Sequence, residues 1–271
     1  MRISCIIPTK DRCSLVMRAI DSAVNQANAS LEVVIVDDGS TDDTVAQVNR
    51  RFPAVRVVRL PGLGPGRARN AGADACSGDI LMFLDSDDYW YPRHVEKLTE
   101  RITSGYQVAY GVTRTEDEIS GGEFLIPADG KGRSGDCFAA LTSWCFLVPS
   151  AVALTRTAYA AVGGFGPEPF GEDWCLFLRL AARFPFGFSG GEPITMRKLH
   201  KGSLCNLTNA DKLLTLVQQL SAILESEKRS SPDMLDRFAG MKQLIERRGR
   251  EFRTVQDWYL ALQKEGLLCH N

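Results

Sequence analysis

The sequence predicts an α/β fold, a mainly parallel sheet flanked by helices on both faces and followed by a C-terminal helical appendage. Three observations carry this. Short apolar runs alternate with amphipathic stretches from Ile3 to Leu84, the runs end in polar or acidic clusters, and only helical periodicity remains from Ala210 onward.

Ile3 to Ile7 is an apolar run closed by Pro8, and it reads as a first strand rather than a signal peptide, having one basic residue and too short an apolar stretch. Leu15, Ala19, Ile20, Ala23 and Val24 then recur at helical spacing. Leu31 to Val36 is a second strand, ended by Asp37-Asp38-Gly39-Ser40. Ser40-Thr41-Asp42-Asp43 supplies cap-type residues before a helix from Thr44 to Arg51. Val55 to Leu60 is a third strand, Pro61 to Gly66 a loop, and Arg67 to about Cys76 a helix leading to the fourth strand, Ile80 to Leu84. In such sheets ligands bind beyond the carboxyl ends of the strands, where Pro8-Thr9-Lys10, Asp37-Asp38 and Asp85-Ser86-Asp87-Asp88 all fall.

The section from about 105 to 170 is less regular, with Glu116 to Gly135 read as loops and Ala151 to Leu154 as a strand. A short helix from Arg156 to Val162 ends at Gly163-Gly164. Glu172 to Arg183 reads as a helix with acids in its first turn, which the helix dipole favours. Beyond Ala210, Leu213, Leu214, Val217, Leu220, Ile223 and Leu224 share one face, and Pro232 starts another helix. The expected division is residues 1–205 and a helical region, 206–271.

With 32 basic and 33 acidic residues the net charge is -1, so no global field draws the chain to nucleic acid or to an anionic membrane. No apolar run approaches the roughly 20 residues that cross a bilayer. The expected location is the cytoplasm, with peripheral contact at the inner face of a membrane left open. Eight cysteines (5, 13, 76, 137, 145, 175, 205 and 269) form no CxxC pair and read as reduced thiols without a structural metal.

The chemistry concentrates in four segments. In Phe83-Leu84-Asp85-Ser86-Asp87-Asp88-Tyr89-Trp90, three carboxylates leave a buried strand, and like charges so placed raise one another's pKa unless a cation joins them. Magnesium or manganese would accept one or two of them and complete its shell with phosphate oxygens. Alone, the segment reads equally as a solvated acidic turn. Val36-Asp37-Asp38-Gly39-Ser40 brings a second acidic strand end alongside, able to hold a base or a sugar hydroxyl or simply to turn the chain. Gly64-Pro65-Gly66-Arg67-Ala68-Arg69 opens onto a helix N-terminus with two guanidinium groups, a setting that suits phosphate. It is not a Walker loop. Phe170-Gly171-Glu172-Asp173-Trp174 sets two carboxylates among aromatics, where one acid could take a proton from a hydroxyl, though Glu-Asp is also a common helix start.

Together these segments resemble the inverting nucleotide-sugar glycosyltransferases of the GT-A fold often called family 2. The matching strings are IIPTKDR, VIVDDGSTDDT, GPGRARNAG, GDILMFLDSDDYWYP, VGGFGPEPFGEDWCLFLRLA and RKLHKGS, in the family's order, over about residues 1 to 205. The resemblance implies that Pro8, Thr9 and Lys10 line the nucleotide pocket, that Asp38 holds the base with Arg69 nearby, and that Asp85 faces the ribose or the metal. It further implies Asp87 as a ligand of Mn2+ or Mg2+, with His200 adding a ligand or touching the diphosphate. Asp173 is implied as the general base, with Glu172 beside it in the acceptor site. The chain departs from the family at Lys10-Asp11, where Tyr-Asn is usual; the missing tyrosine removes a stacking surface for the base.

The expected activity is therefore metal-assisted transfer of a sugar, with inversion, from a nucleotide-diphosphate donor, with uridine the expected base, to a carbohydrate or other hydroxyl acceptor. Two competing readings are an inactive scaffold subunit on the same fold and a sugar nucleotidyltransferase. The latter usually carries a glycine-rich loop after the first strand, and Pro8-Thr9-Lys10-Asp11 has no glycine.

Overall fold

Strands buried on both faces have no polar side to show, and the first strands are composed accordingly. The computed structural model describes residues 1–27, 30–118, 121–168, 170–200, 202–203 and 208–268. In it β1 (Ile3–Thr9), β2 (Leu31–Asp37), β3 (Arg56–Arg59) and β4 (Ile80–Phe83) pair in parallel in the order β3-β2-β1-β4. Alternate residues feed two layers. Cys5, Ile7, Val33, Ile35, Ile80 and Met82 pack on one side with α1 (Cys13–Val24), α2 (Thr44–Arg51) and α4 (His94–Thr103). Ile6, Val34, Val36, Leu81 and Phe83 face the other side, where α3 (Pro65–Ala75), the short α5 (Phe138–Leu141) and α6 (Arg156–Ala161), and α7 (Glu172–Arg183) lie. Helix α3 sits so close to the sheet that a Cβ on Gly72 would stand 2.3 Å from Ile6 Cγ2, and only glycine allows that approach.

The buried face of α1 is Val16, Met17, Ala19, Ile20 and Ala23. Val24, expected on that face, is 45% exposed, because the helix rolls by about one residue to put Val16 inward.

Beyond β4 the sheet becomes mixed. Nine strands run in the order β3-β2-β1-β4-β8-β6-β9-β5, with β7 attached to β6. β8 (Val152–Thr155) joins β4 to β6 (Val108–Asp117) by antiparallel pairing on both sides. The start of the expected loop Glu116 to Gly135 is instead a hairpin of β6 with β7 (Gly122–Ile126), clipped by an Arg114–Glu123 ion pair and seated on the fully buried Thr113 and Thr115. β9 (Phe186–Leu199) runs parallel to β6, bulging over residues 189–192 where Gly190 has φ 110°. β5 (Tyr89–Trp90) pairs antiparallel with β9, so the acidic turn 85–88 is tied to the sheet at both ends, through β4 and through β5.

The helical tail consists of α8 (Ala210–Ser226), α9 (Pro232–Arg248) and α10 (Val255–Lys264). Leu213, Leu216, Val217 and Leu220 of α8, Phe238 and Met241 of α9, and Trp258 of α10 enter the same apolar core as Phe177 and Leu180 of α7. Ser231 caps α9 by accepting from the Met234 N–H, with Pro232 in its first turn as expected. The expected boundary between 205 and 206 lies outside the described residues, as do Cys205 and Cys269; the six described cysteines are unpaired thiols. Among the described residues no helix is long and apolar enough to cross a membrane.

Candidate active site

The register of β1 against β2 sets Pro8 beside Val36 and Thr9 beside Asp37, so two strand ends deliver their polar residues to one edge. The Asp38 N–H donates to the Thr9 carbonyl at 2.8 Å. Asp38 is buried, and its carboxylate accepts from the Leu63 N–H at 2.7 Å and the Gly64 N–H at 2.8 Å. It therefore shapes the glycine loop that leads into α3. Asp11 closes the same rim: its Oδ1 accepts from the Thr41 N–H at 2.7 Å, the Thr41 hydroxyl at 3.2 Å and the Asp42 N–H at 3.3 Å. Those donors hold its carboxyl below the usual range. Lys10 is exposed, its Nζ 3.4 Å from where a Cβ on Gly62 would sit. The departure at Lys10-Asp11 thus joins the β1 and β2 loops and sets a cation over the glycine loop.

Arg69 is the hub. It is 5% exposed, and its guanidinium donates to Asp85 Oδ1 at 2.6 Å and to Glu172 Oε1 at 2.9 Å. Phe165 lies beneath it, 5.1 Å from ring centroid to Cζ. Burial disfavours this charge, but the two carboxylates and nearby Asp173 outweigh burial and raise its pKa. One side chain thus binds three segments that are far apart in sequence.

Asp173 is half-buried in the first turn of α7 and accepts from the Trp174 N–H at 2.8 Å. Desolvation, then repulsion from Glu172, outweigh Arg69 and push its carboxyl up to about 6. A carboxylate so tuned can accept a proton near neutral pH. The preceding residue, Gly171, is left-handed at φ 72° and lies under α8: a Cβ there would meet Leu216 Cδ1 at 2.5 Å.

In the acidic turn, Ser150 organises the backbone. Its hydroxyl accepts from the Asp85 N–H at 3.0 Å and donates to Asp88 Oδ2 at 2.6 Å. Its carbonyl accepts from Trp90 Nε1 at 2.7 Å and the Thr195 hydroxyl at 3.0 Å. Asp88 is 2% exposed, and burial with the Asp85 and Asp87 charges raises its pKa well above the usual value.

Asp87 Oδ2 accepts from Arg12 at 2.8 Å and lies 3.1 Å from His200 Nε2. The Gly202 N–H donates to His200 Nδ1 at 3.1 Å, so the ring proton sits on Nε2 and points at Asp87. Of the three expected metal ligands, Asp87 and His200 meet, while Asp85 is turned to Arg69. Among the described residues no group of three His, Cys, Asp or Glu side chains is placed to hold a metal. Two carboxylates on one turn are still the protein share that a magnesium or manganese ion bound through phosphates requires. Arg12 and Ser150 were not legible as site residues: their partners lie 75 and 62 residues away, and only the fold brings them together.

Trp144 packs in an aromatic cluster, 5.6 Å from Trp174, 6.0 Å from Trp258 and 4.5 Å from Tyr259. Phe146 lies 5.8 Å from Tyr110. Cys145, between them, stands close enough to Asp173 for its thiol to be raised by that charge as well as by burial.

Residues 4–129 match the family model described as Glycosyl transferase family 2. An uncharacterized glycosyltransferase of Nostoc sp. is 32% identical over 178 residues, 62% of this chain and 55% of its own length. WfaP of Escherichia coli, named a UDP-Glc:alpha-D-GlcNAc-diphosphoundecaprenol beta-1,3-glucosyltransferase, is 26% identical over 232 residues, 83% of this chain and 86% of WfaP. Several curated relatives are longer, and the chain spans 55%, 31% and 26% of the lengths of three of them. The structure of S. aureus TarS in complex with UDP superposes with a TM-score of 0.67 at 16% identity, covering 90% of this chain and 71% of that one. The mannosyltransferase PcManGT from Pyrobaculum calidifontis, in complex with GDP-Man and Mn2+, has a TM-score of 0.58 at 16% identity, covering 100% and 76%. At that identity the likeness speaks for the fold, which is GT-A.

Proposed function

We infer that this chain, which belongs to glycosyl transferase family 2 through residues 4–129, moves a sugar from a nucleotide-diphosphate donor to an acceptor hydroxyl with inversion at the anomeric carbon. The observation that carries this reading is the Arg69 hub, which joins a donor-side carboxylate, Asp85, to Glu172, the neighbour of a carboxyl tuned to about 6.

In this reading Pro8, Thr9, Lys10 and the Asp38-shaped glycine loop receive the nucleotide. Arg69 faces the diphosphate side and offsets charge as the leaving group departs. Asp173 takes the acceptor hydroxyl's proton, and the oxygen attacks the face opposite the diphosphate; such help is typically worth roughly 10² to 10⁴ in rate. Asp87 and Asp85 would hold Mn2+ or Mg2+, which when bound supplies Lewis-acid neutralisation of the diphosphate. His200 orients Asp87 through its Nε2–H, and a metal bound at that nitrogen would require the other tautomer, with the proton on Nδ1 where the Gly202 N–H now donates. The half-buried Trp144 and Tyr259 offer a stacking wall on the acceptor side. UDP is the proposed nucleotide, supported by the UDP complex of TarS and the UDP-Glc named for WfaP. A hydroxyl on a glycan intermediate, met at the cytoplasmic side of a membrane or free in the cytoplasm, is the proposed acceptor.

Replacing Asp173→Asn is expected to abolish transfer while leaving metal-dependent UDP binding within about twofold of wild type, because the base acts in the reaction and not in donor recognition. Parallel loss of both, measured by titration calorimetry and product release, would remove Asp173 from that role. Release of pyrophosphate in place of a nucleoside diphosphate would overturn the reading as a whole.

A further inference from the structure

Arg12 is unused by the mechanism above, yet it touches two segments of the proposed donor site, the acidic turn and Gly202. It lies between β1 and α1 with its side chain 25% exposed. Nη1 donates to Asp87 Oδ2 at 2.8 Å and reaches the Ser86 hydroxyl at 3.5 Å, while Nη2 reaches the Gly202 carbonyl at 3.4 Å. Both described side-chain contacts to Asp87, from Arg12 and from His200, fall on Oδ2. The turn has a separate anchor, since Arg18 donates to the Asp87 carbonyl at 3.0 Å and does not need Arg12 to hold the backbone.

We propose that Arg12 is a latch shared between Asp87 and the donor's diphosphate: without nucleotide it neutralises Asp87 and opposes a divalent cation there, and an arriving diphosphate draws it away and admits the cation. This rests on the nucleotide-sugar reading. A guanidinium and a dication on one carboxylate repel each other strongly at such short range. The Arg12 side chain keeps 25% of its surface exposed while that of Asp87 keeps 13%, so an incoming anion can reach the guanidinium from solvent before the pair with Asp87 parts. A guanidinium fork matches phosphate oxygens as well as it matches a carboxylate, so the diphosphate is a competent new partner. The consequence is ordered binding, with nucleotide and cation entering cooperatively and the cation alone binding poorly.

The test is titration calorimetry on wild type, Arg12→Gln and Arg12→Met, with Mn2+ alone, with UDP alone in chelator, and with both. The latch predicts opposite signs. Removing the guanidinium should tighten Mn2+ binding on the order of tenfold by relieving like-charge repulsion. It should weaken metal-free UDP binding on the order of tenfold by removing a charge-assisted partner. A damaged fold would weaken both, and thermal melts of the two variants report that separately. Unchanged or weaker Mn2+ binding by folded variants would overturn the latch while leaving the donor site intact. Failure of wild type to bind UDP with Mn2+ would instead overturn the nucleotide-sugar reading, and the latch with it.

Discussion

The carboxyl of Asp173 reaches about 6 because burial and Glu172 outweigh Arg69, and this fixes the sign of two measurements. As the proposed base it would work ionised, so kcat/KM should climb with pH through about 6 and then level off, which a pH–rate profile checks. The folded protein keeps the proton up to that pH, whereas the unfolded chain loses it near the usual 3.8. The associated stability therefore declines as pH rises between those values and is absent at neutral pH. Asp173→Asn should accordingly raise unfolding free energy at pH 7.5 by up to about 3 kcal/mol in urea titrations, even as transfer is lost. Arg69→Met should do the reverse, costing about 3 to 5 kcal/mol by leaving Asp85 and Glu172 near each other without their cation. At this scale Asp85, Glu172, Asp173 and Arg69 were visible as residue types in motifs. Their pairing was not, since Arg69 and Glu172 are 103 residues apart.

Elements show a sharper contrast in legibility. β1, β2 and β4 are continuous apolar runs, and α8 and α9 carry clean helical spacing, so their periodicity reveals them. β9 is hidden by Gly187, Gly190, Gly191 and Pro193, residues that break strand patterns; here Gly190 and Gly191 lie in a bulge, while Gly187 and Pro193 stay in register with β6. β7 (Gly-Glu-Phe-Leu-Ile) is a short run inside a polar, glycine-rich stretch that reads as loop, and its ladder with β6, clipped by an exposed cross-strand ion pair, is not announced by sequence order. The junction of α7 with α8 is where element packing touches the proposed chemistry. Gly171→Ala should cost about 1 to 3 kcal/mol, because a left-handed backbone and the Leu216 contact both oppose a methyl group. Adding Leu216→Ala should recover part of that cost, a coupling that a double-mutant cycle by urea unfolding reads directly.

Across the whole molecule, one face of the sheet and the helical tail share one apolar core. Removing residues 208–271 would strip Leu213, Leu216, Leu220 and Trp258 from contact with α7. The truncated chain is expected to be insoluble, or open to protease within α7, while the full chain unfolds in a single transition; solubility assays and limited proteolysis check both. That the tail buries one apolar face, on the domain or on a partner, could be foreseen; its packing on the domain and its reach to the N-terminus of α7 could not, because periodicity says which face is buried and never against what. The aromatic cluster has a further use. Of four tryptophans, Trp144, Trp174 and Trp258 crowd together beside Asp173, and Trp90 stands apart, stacked on His94 at 4.1 Å. Three of the four tryptophans therefore report on one corner of the core, the one next to Asp173. An acceptor sugar settling there should shift the emission maximum, so binding can be followed optically, without a label and before any bond is made.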